Sequence, residues 1–384
     1  MKIAFLTSEY PHPSIGGSGG IGSSIRYLGR ALTQLGHKVT ILLYQQPVEE
    51  VIDDSGVTIR RIKNVKFKGL SWLLTRKKIE RIVDEIFDLG EIEILEAPDW
   101  TGITSFIKPK KCPVVIRLHG SDTYFCHLAG RSSKWINRFH EIRALKNADA
   151  VISVSAFTGK TTKNIFRLSF NYQVIHNGID LQEFTPNHNG IEKSRILYFG
   201  TLIRKKGVLE LPLIFNQVHM SDPSAELILV GNDSADITSG SDSTWALMQP
   251  LFDAKALNNV EYLGPKTSED LRVEIQKATI CVFPSFAEAF PLSWLEAMAM
   301  EKAVVASNVG WGTELVNHRV DGLLAHPKDH NQFAQYINAL LKDPNLNSKL
   351  GKNARKSVVE KFGHQMIAIE SLKFYKSIMP NARL

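Results

Sequence analysis

The chain has 384 residues, of which 43% are hydrophobic, 22% are charged and 9% are aromatic. This length fits two to three domains, and the composition excludes a mainly disordered chain. Lys and Arg number 46 against 39 Asp and Glu, so the formal net charge is +7. An excess of this size is compatible with a nucleic acid, an anionic membrane surface or an acidic substrate, and does not choose among them.

The three cysteines, Cys112, Cys126 and Cys281, lie far apart in the sequence. They exclude a disulfide framework and a metal site built on paired cysteines. Residues 1–6 predict a strand rather than a signal peptide, because one basic residue and a short apolar run precede Glu9 and two prolines. No apolar run approaches the roughly 18 residues of a spanning helix. We therefore expect a cytoplasmic protein whose membrane contact would be peripheral.

Short apolar runs alternate with segments of helical periodicity along the whole chain. Apolar runs with little polar alternation are typical of strands buried on both faces of a parallel sheet. In the first half the predicted strands are Ile3–Leu6, Val39–Leu43, Ile92–Leu95, Val114–Leu118, Val151–Val154 and Val174–His176. In the second half they are Ile196–Phe199, Leu227–Val230, Val260–Leu263, Ile280–Phe283 and Ala303–Ala306. The pattern predicts two α/β domains, each a doubly wound, Rossmann-like parallel sheet.

The polar segment from Asp180 to Ser194 has the composition of a linker. It places the boundary near residue 180, with the second domain over residues 181–362. Open parallel sheets bind ligands at the carboxyl ends of their strands, so two such domains are expected to face each other across a ligand cleft. Functional residues are therefore sought just after strands.

A glycine-rich loop, Gly16–Gly22, precedes the first predicted helix. It puts Gly19 and Gly20 at a helix N-terminus, where the backbone favours a phosphate. The loop is not a dinucleotide fingerprint, because it lies ten residues beyond the strand and Gln45 stands where an acidic ribose partner is expected. A flexible surface loop is the alternative.

Polar side chains follow two further strands directly. His119 comes after Val114–Leu118 and is either a cleft residue that bonds a sugar hydroxyl or assists a leaving group, or a structural histidine. Arg204, Lys205 and Lys206 follow a strand in the second half. Three consecutive cations there suit a pyrophosphate, and a solvated basic turn is the alternative.

Two glutamates flank the start of a predicted helix in the second half. Glu288 lies in the loop after a strand, and Glu296 lies about one turn into the helix, whose first turn suits Pro291. Free N–H groups near Leu292 and Ser293 can bind a phosphate. Glu296 could then accept hydrogen bonds from both hydroxyls of a ribose, and Glu288 could reach the sugar beyond the phosphates. The alternative is a pair of solvated carboxylates.

Glu288 and Glu296 are separated by seven residues, which is the E-x7-E motif of retaining glycosyltransferases with the GT-B fold. Further stretches match the same family: Gly19–Gly22, Gly36–Val39, Asp149–Ser155, Asn177–Asp180, Pro284–Ser285, Leu295–Ala299, Lys302–Ser307, Glu314–Val316 and Asp321–Leu324. Over nearly its full length the chain resembles glycosyltransferase family 4, also called glycosyl transferases group 1.

This resemblance implies an enzyme that moves a sugar from a UDP- or GDP-sugar to an acceptor hydroxyl with retention of configuration. It implies a donor bound mainly by the second domain, an acceptor bound mainly by the first, and neither a metal nor a cofactor besides the co-substrate. The implied catalytic residues are Glu288, His119 and Lys206. The implied donor-binding residues are Gly19, Gly20, Arg204, Lys205, Phe290, Pro291, Leu292, Ser293 and Glu296.

The chain departs from the family pattern at three places. Thr201 stands where an arginine is common, with Arg204 or Lys205 as candidate replacements, and Pro291 stands where a glycine is common. No Lys-Thr-Gly-Gly-Leu occurs near the N-terminus, which argues against a glycogen or starch synthase. The last predicted helix, residues 362–378, has Ile369, Leu372, Tyr375 and Ile378 at apolar spacing. The resemblance implies that it returns to the first domain, which would then comprise residues 1–180 and about 363–384. An ordinary terminal helix of the second domain is the alternative.

Other functions on the same fold remain open at this point. They are a sugar-nucleotide epimerase, a phosphorylase and a non-catalytic sugar-nucleotide-binding protein. A nucleic-acid binder fits poorly, because no recognition motif is present. The expected acceptor is a saccharide or lipid-linked saccharide in the synthesis of a cell-surface polysaccharide or glycolipid.

The positive charge is confined to one half of the chain. Residues 1–180 hold 25 Lys+Arg and 17 Asp+Glu, or +8, whereas residues 181–384 hold 21 and 22, or −1. Part of the excess forms a basic cluster near Trp72: Lys63, Lys66, Lys68, Arg76, Lys77, Lys78 and Arg81. This cluster is either a solvated helix face or a peripheral contact with an anionic membrane.

Overall fold

The computed structural model describes residues 1–379. Its strands are β1 Lys2–Thr7, β2 Lys38–Gln46, β3 Glu50–Asp54, β4 Val57–Lys63, β5 Ile94–Pro98, β6 Val114–Leu118, β7 Ala150–Ser153, β8 Gln173–Val174, β9 Arg195–Phe199, β10 Glu226–Val230, β11 Val260–Tyr262, β12 Ile280–Phe283, β13 Ala303–Ser307 and β14 Leu323–Ala325. Its α-helices are α1 Gly20–Gln34, α2 Ser71–Asp88, α3 Asp122–Leu128, α4 Trp135–Asn147, α5 Ala156–Phe166, α6 Leu211–Ser221, α7 Thr244–Met248, α8 Ala254–Leu257, α9 Ser268–Lys277, α10 Leu292–Ala299, α11 Gly312–Leu315, α12 His330–Lys342, α13 Pro344–Lys361 and α14 His364–Ile378.

The chain divides into two compact units. The first comprises Met1–Gly178 and the segment that begins at Gly363, and the second comprises Ile179–Phe362. The sequence-based boundaries were drawn at residue 180 and at residue 362. Residues 380–384 of the expected returning segment lie outside the described residues.

The first unit contains one eight-stranded sheet within residues 1–379, in the order β3-β4-β2-β1-β5-β6-β7-β8. Every neighbouring pair is parallel except β3 and β4, which form an antiparallel hairpin at the edge. This hairpin was not predicted from the sequence. Its outer strand carries acidic and solvent-exposed residues such as Glu50 and Val51, so it lacks the apolar run that marks a central strand.

The second unit contains a six-stranded parallel sheet within the described residues, in the order β11-β10-β9-β12-β13-β14. Its central strands β9, β12 and β13 are buried along their whole length. The order reverses between β9 and β12, whose carboxyl ends therefore border the switch point of the sheet. The prediction of two parallel α/β domains is confirmed.

Helix α14 packs against the sheet and α1 of the first unit. Its residues Ile367, Ala368, Leu372 and Tyr375 join the same buried cluster as residues of α1, β1 and β2. The sequence pattern placed Ile369 on the apolar side, but Ile369 is exposed. The buried stripe starts two residues earlier, at Ile367, close to the point where a Cβ on Gly178 would lie 2.8 Å from the Cα of His364.

A buried polar network anchors α14. Arg117 on β6 donates from Nε and Nη2 to the two carboxylate oxygens of Glu96 on β5, at 2.8 and 3.1 Å. Nη2 also donates to the hydroxyl of Ser371, and Nη1 to the carbonyl of Ile175. Tyr375 donates its hydroxyl to Glu96 Oε2 at 2.7 Å. Each nitrogen of the Arg117 guanidinium and each carboxylate oxygen of Glu96 thus has at least one hydrogen-bond partner, as a charge pair held out of water requires.

We predict that Arg117→Met destabilises the first unit by about 3–5 kcal/mol, because it leaves the buried Glu96 carboxylate without its cation. Tyr375→Phe removes one hydrogen bond and should cost about 1–2 kcal/mol. Urea denaturation followed by circular dichroism measures both. The matched control is Lys376→Met, at the exposed residue that directly follows Tyr375. Equal stability of Arg117→Met and Lys376→Met would contradict the anchoring role.

Candidate active site

Two glycines let the loops after β9 and β10 approach each other. Gly200 has φ +137° and Gly231 has φ +145°, which are conformations that favour glycine. A Cβ on Gly231 would lie 2.0 Å from the carbonyl oxygen of Gly200. The two strand ends therefore bring backbone, rather than side chains, to the carboxyl edge of the sheet, and Tyr198 reinforces this by donating its hydroxyl to the carbonyl of Thr201.

The basic turn after β9 is held against the loop after β12. The amides of Phe286 and Ala287 donate to the carbonyl of Lys205, at 2.8 and 3.1 Å. Gly207 has φ +69°, and a Cβ there would lie 1.7 Å from the carbonyl oxygen of Pro284. These contacts join two segments that are about 80 residues apart in the sequence and that both follow central strands.

The result is an ion pair between two of the predicted site residues. Lys206 Nζ lies 3.1 Å from Glu288 Oε1, and the exposed fractions of the two side chains are 21% and 12%. The Ser285 hydroxyl lies 3.4 Å from the same carboxylate oxygen. The Lys206 side chain also lies over Gly200, since its Nζ is 3.4 Å from the Cβ position of that glycine. A cation and a carboxylate thus share one partly accessible position at the strand ends.

Arg204 is engaged elsewhere. Its Nε and Nη2 donate to the two carboxylate oxygens of Asp236, at 2.8 and 2.7 Å. The hydrogen bonds from Arg204 hold the pKa of the Asp236 carboxyl well below its usual range. Asp236 also accepts from the amide and hydroxyl of Ser239, so the pair ties the loop after β10 to the basic turn. Arg204 therefore shapes this edge through its bidentate pair with Asp236.

Helix α10 presents Ser293 and Glu296 on one partly exposed face, three residues apart, while its other residues are buried. Pro291 is the residue before the helix, with extended φ −74° and ψ 122°, and not within the first turn as expected. The helix therefore begins at Leu292, and its first N–H groups lack partners inside the helix. Phe290 is buried, with its ring 5.4 Å from that of Phe362.

In the first unit the glycine-rich loop is capped by a carboxylate. Glu9 accepts from the amide of Gly22 at 2.9 Å and from the amide of Gly19 at 3.2 Å. A negative group thus already occupies the N-terminus of α1, where the sequence analysis expected a phosphate. Gly22 also has no room for a side chain, because a Cβ would lie 2.7 Å from the carbonyl oxygen of Glu9.

His119 is buried at the end of β6. Removal from water, and then the positive charge of Arg117, lower the pKa of His119 to about 3. The imidazole is therefore neutral at pH 7. It can donate one hydrogen bond and accept another, but it does not act as a cation. Its amide donates to Asp99 Oδ1 at 2.8 Å, and burial raises the pKa of the Asp99 carboxyl to about 8.

The predicted site residues fall into two groups. Arg204, Lys205, Lys206, Glu288 and the 290–296 segment belong to the second unit, whereas Gly19, Gly20 and His119 belong to the first. Three carboxylates that support them were not predicted: Glu9, Asp99 and Asp236. Asp99 follows β5 directly, but the predicted strand ended at Leu95, so Asp99 did not stand out as a residue just after a strand. Glu9 and Asp236 carry no comparable signal. Among residues 1–379, no group of three or more His, Cys, Asp or Glu side chains is arranged to hold a metal ion.

The buried Asp99 predicts a specific pH dependence. Its pKa is raised from 3.8 to about 8, so the folded protein binds more protons than the unfolded chain between these values. The contribution of Asp99 to stability is therefore complete below about pH 4 and is lost as the pH rises towards 8.

We expect Asp99→Asn to abolish this pH-dependent loss of stability. The free energy of unfolding of the variant, relative to that of the unmodified protein, should therefore rise by about 1 kcal/mol or more from pH 5 to pH 8. Urea denaturation across this range measures the difference, with the exposed Asp242→Asn as control. A difference that stays constant with pH would show that Asp99 titrates normally.

Comparison with known proteins agrees with this architecture. Residues 18–183 match the family Glycosyltransferase Family 4, and residues 182–357 match Glycosyl transferases group 1. An uncharacterized glycosyltransferase of Methanocaldococcus jannaschii is 26% identical, with 99% of each chain covered. The N,N'-diacetylbacillosaminyl-diphospho-undecaprenol alpha-1,3-N-acetylgalactosaminyltransferase of Campylobacter jejuni is 29% identical over 53% of this chain and 54% of its own.

Among solved structures, sucrose-phosphate synthase from Thermosynechococcus elongatus superposes with a TM-score of 0.78 at 23% identity, covering 98% of this chain and 99% of its own. Such a likeness shows the fold, and the two family matches together span residues 18–357. The chain therefore belongs to the group 1 glycosyltransferases with a family 4 N-terminal domain, and has the GT-B fold.

Proposed function

We propose that the protein transfers a sugar from a UDP- or GDP-sugar to an acceptor hydroxyl with retention of the anomeric configuration. The observation that carries this proposal is the Lys206–Glu288 pair, 3.1 Å apart beside Gly200 at the carboxyl ends of β9 and β12. A diphosphate placed there would attract the ammonium group of Lys206. The Glu288 carboxylate could then accept hydrogen bonds from the hydroxyls of the sugar. Family membership supports the same reaction class.

The reaction assigns a defined part to each group. The bond between the sugar C1 and the diphosphate oxygen breaks, and a bond from the acceptor oxygen to C1 forms on the same face. The acceptor proton goes to the leaving phosphate oxygen. Lys206 and the first N–H groups of α10 stabilise the negative charge that grows on the leaving group.

The donor nucleotide would extend along α10. Ser293 and Glu296 share its partly exposed face, so the Glu296 carboxylate can accept from the two ribose hydroxyls while the start of the helix meets the phosphates. Thr201 replaces the arginine common in the family, and Arg204 is committed to Asp236. We therefore assign the compensating positive charge to Lys205 and Lys206 rather than to Arg204.

The first unit would supply the acceptor side and His119. A neutral, buried imidazole suits a hydrogen bond with a hydroxyl of the transferred sugar, because it is not strongly hydrated and does not compete as a cation for the diphosphate. For phosphate contact through Gly19, the Glu9 carboxylate would first have to release that amide. Donor contact through Gly19 would therefore require the glycine-rich loop to change its hydrogen bonding.

We predict that Glu288→Gln and Glu296→Ala fail in different ways. Glu288→Gln should reduce sugar transfer by about 100-fold or more while nucleotide binding persists, because the amide cannot replace a charged acceptor at the sugar. Glu296→Ala should instead weaken nucleotide binding by about 10-fold or more, since it removes the ribose acceptor. A thermal-shift panel of UDP-, GDP-, ADP- and TDP-sugars selects the donor, calorimetry measures affinity and nucleotide release measures turnover.

The isosteric control is Glu261→Gln, at an exposed glutamate of the same unit. Turnover of Glu288→Gln within about threefold of the unmodified enzyme would contradict its assigned role. Donor consumption without transfer to any acceptor, in contrast, would favour an epimerase or phosphorylase reaction over transfer.

We further propose that the acceptor side contacts an anionic membrane. The basic cluster near Trp72 is only partly available, since Lys77 pairs with Glu80 and Lys78 with Glu49. Helix α4 adds an apolar surface that the sequence analysis did not foresee: Trp135 is 77% and Phe139 46% exposed. Among residues 1–379, no helix is long and apolar enough to cross a bilayer.

This apolar surface lies beside the helix that carries the basic cluster. The rings of Trp72 on α2 and Phe139 on α4 each lie 5.3 Å from the ring of the buried His140. Exposed aromatic side chains beside lysines suit the boundary between lipid headgroups and acyl chains. The diphospho-undecaprenol in the name of the Campylobacter jejuni relative supports a lipid-linked acceptor.

We expect Trp135→Ala to lower co-sedimentation with vesicles that contain anionic lipid by about threefold or more, because it removes the most exposed apolar anchor. Ile237→Ala, at a residue of the second unit that is 78% exposed, is the matched control. Binding should also fall as salt is raised. Co-sedimentation that does not depend on anionic lipid content would contradict the membrane contact.

A further inference from the structure

A cavity of about 350 Å³ lies in the first unit, between α3, α4 and α5, and no assigned role of the protein uses it. Three arginines line it, Arg131, Arg138 and Arg167, together with polar side chains that include Thr123 and Asn164. No carboxylate is among its lining residues. Its volume falls in the range of small-molecule sites.

Basic residues outnumber acidic ones in the segment that forms this cavity. Residues 122–167 contain eight Lys+Arg and three acidic residues. Each acidic side chain is bonded to other donors: Asp122 accepts from Asn137, Glu141 from the amide of Asp122, and Asp149 from the amide of Val114. Within residues 1–379, neither Arg131 nor Arg167 has a carboxylate within ion-pair distance.

Two of the arginines are placed by features of the backbone, Arg138 by a hydrogen bond to a carbonyl and Arg167 by its own conformation. Arg138 Nη2 donates to the carbonyl of Ile165 at 2.8 Å, and its guanidinium lies 5.2 Å from the centre of the Phe166 ring. Several of its five N–H donors are left over for a ligand. Arg167 ends α5 in a left-handed conformation, with φ +52°. Glycine is the residue that favours this position, so the arginine is present there at a conformational cost.

We propose that this cavity binds the phosphate group of a phosphorylated ligand, either a soluble phosphate ester or diphosphate or the headgroup of an anionic phospholipid. Guanidinium groups recognise phosphate oxygens through paired, charge-assisted hydrogen bonds, and three of them converge here without a competing carboxylate. Trp135 and Phe139, on the helix that carries Arg138, would place a lipid headgroup within reach of the same arginines. The site is separate from the Lys206–Glu288 pair and does not depend on sugar transfer.

The test is protection of individual arginines from phenylglyoxal, mapped by mass spectrometry on the full chain. Millimolar pyrophosphate should slow the modification of Arg131 and Arg167 by about threefold or more, because phosphate occupies the groups that react. Arg319, exposed in the second unit, is the internal control and should react at an unchanged rate. Equal rates at Arg131 and Arg167 with and without pyrophosphate or anionic vesicles would overturn the proposal.

A variant separates binding from folding. Arg167→Gly removes one guanidinium and places glycine where the left-handed backbone favours it, so the fold should be retained. Protection of Arg131 should nevertheless fall by about threefold or more. Undiminished protection of Arg131 in this variant would also overturn the shared site.

Two arms identify the source of the phosphate. Protection by pyrophosphate supports a soluble ligand, and protection only by vesicles of phosphatidylcholine with phosphatidic acid supports a headgroup. Vesicles of phosphatidylcholine alone control for coverage of the surface by lipid. Protection by these neutral vesicles to the same extent, without protection by pyrophosphate, would overturn the phosphate site.

Discussion

The first unit depends on one buried ion pair. Arg117 and Glu96 join the neighbouring strands β6 and β5, and Ser371 and Tyr375 bring the C-terminal helix onto the same pair. A charge pair withdrawn from water is tolerated only if its remaining donors and acceptors are bonded, so the last helix of the chain completes a site that the first 120 residues begin. The same arginine helps to keep His119 neutral, two residues further along the chain. Stability of the fold and protonation of a candidate active-site residue therefore share one cation.

In the second unit, loops that are remote in sequence meet at the carboxyl edge of the sheet. Glycines at 200, 207 and 231 leave room for carbonyl groups to approach where a Cβ would collide. The amides that follow β12 then bond to the carbonyl of Lys205, and Lys206 meets Glu288. The chemistry of the site thus rests on backbone contacts, and side chains such as Arg204 and Asp236 hold the surrounding loop in place.

Much of the architecture was predictable from the sequence, because strands buried on both faces appear as continuous apolar runs. All eleven predicted strands correspond to strands of the structure, whereas the β3–β4 hairpin and the short β14 escaped. An exposed edge strand such as Glu50–Asp54 has no apolar run to reveal it. The rotation of α14 was not predictable, because Ile369 and Ile367 are equally apolar and packing alone selects between them.

The sequence by itself determined the family, the two parallel sheets and the candidate residues after the strands, since these depend on residue type and spacing along the chain. The tertiary structure decided what those residues contact. It placed Lys206 on Glu288, engaged Arg204 with Asp236, put the Glu9 carboxylate on the glycine-rich loop and gathered three arginines around one cavity. The composition shows only that the first half of the chain has excess positive charge. The structure shows that part of it belongs to paired lysines on α2 and part to arginines near α4 that have no acidic partner among the described residues. Electrostatic roles follow from distance and burial, and residues far apart in a sequence acquire both only when the chain folds.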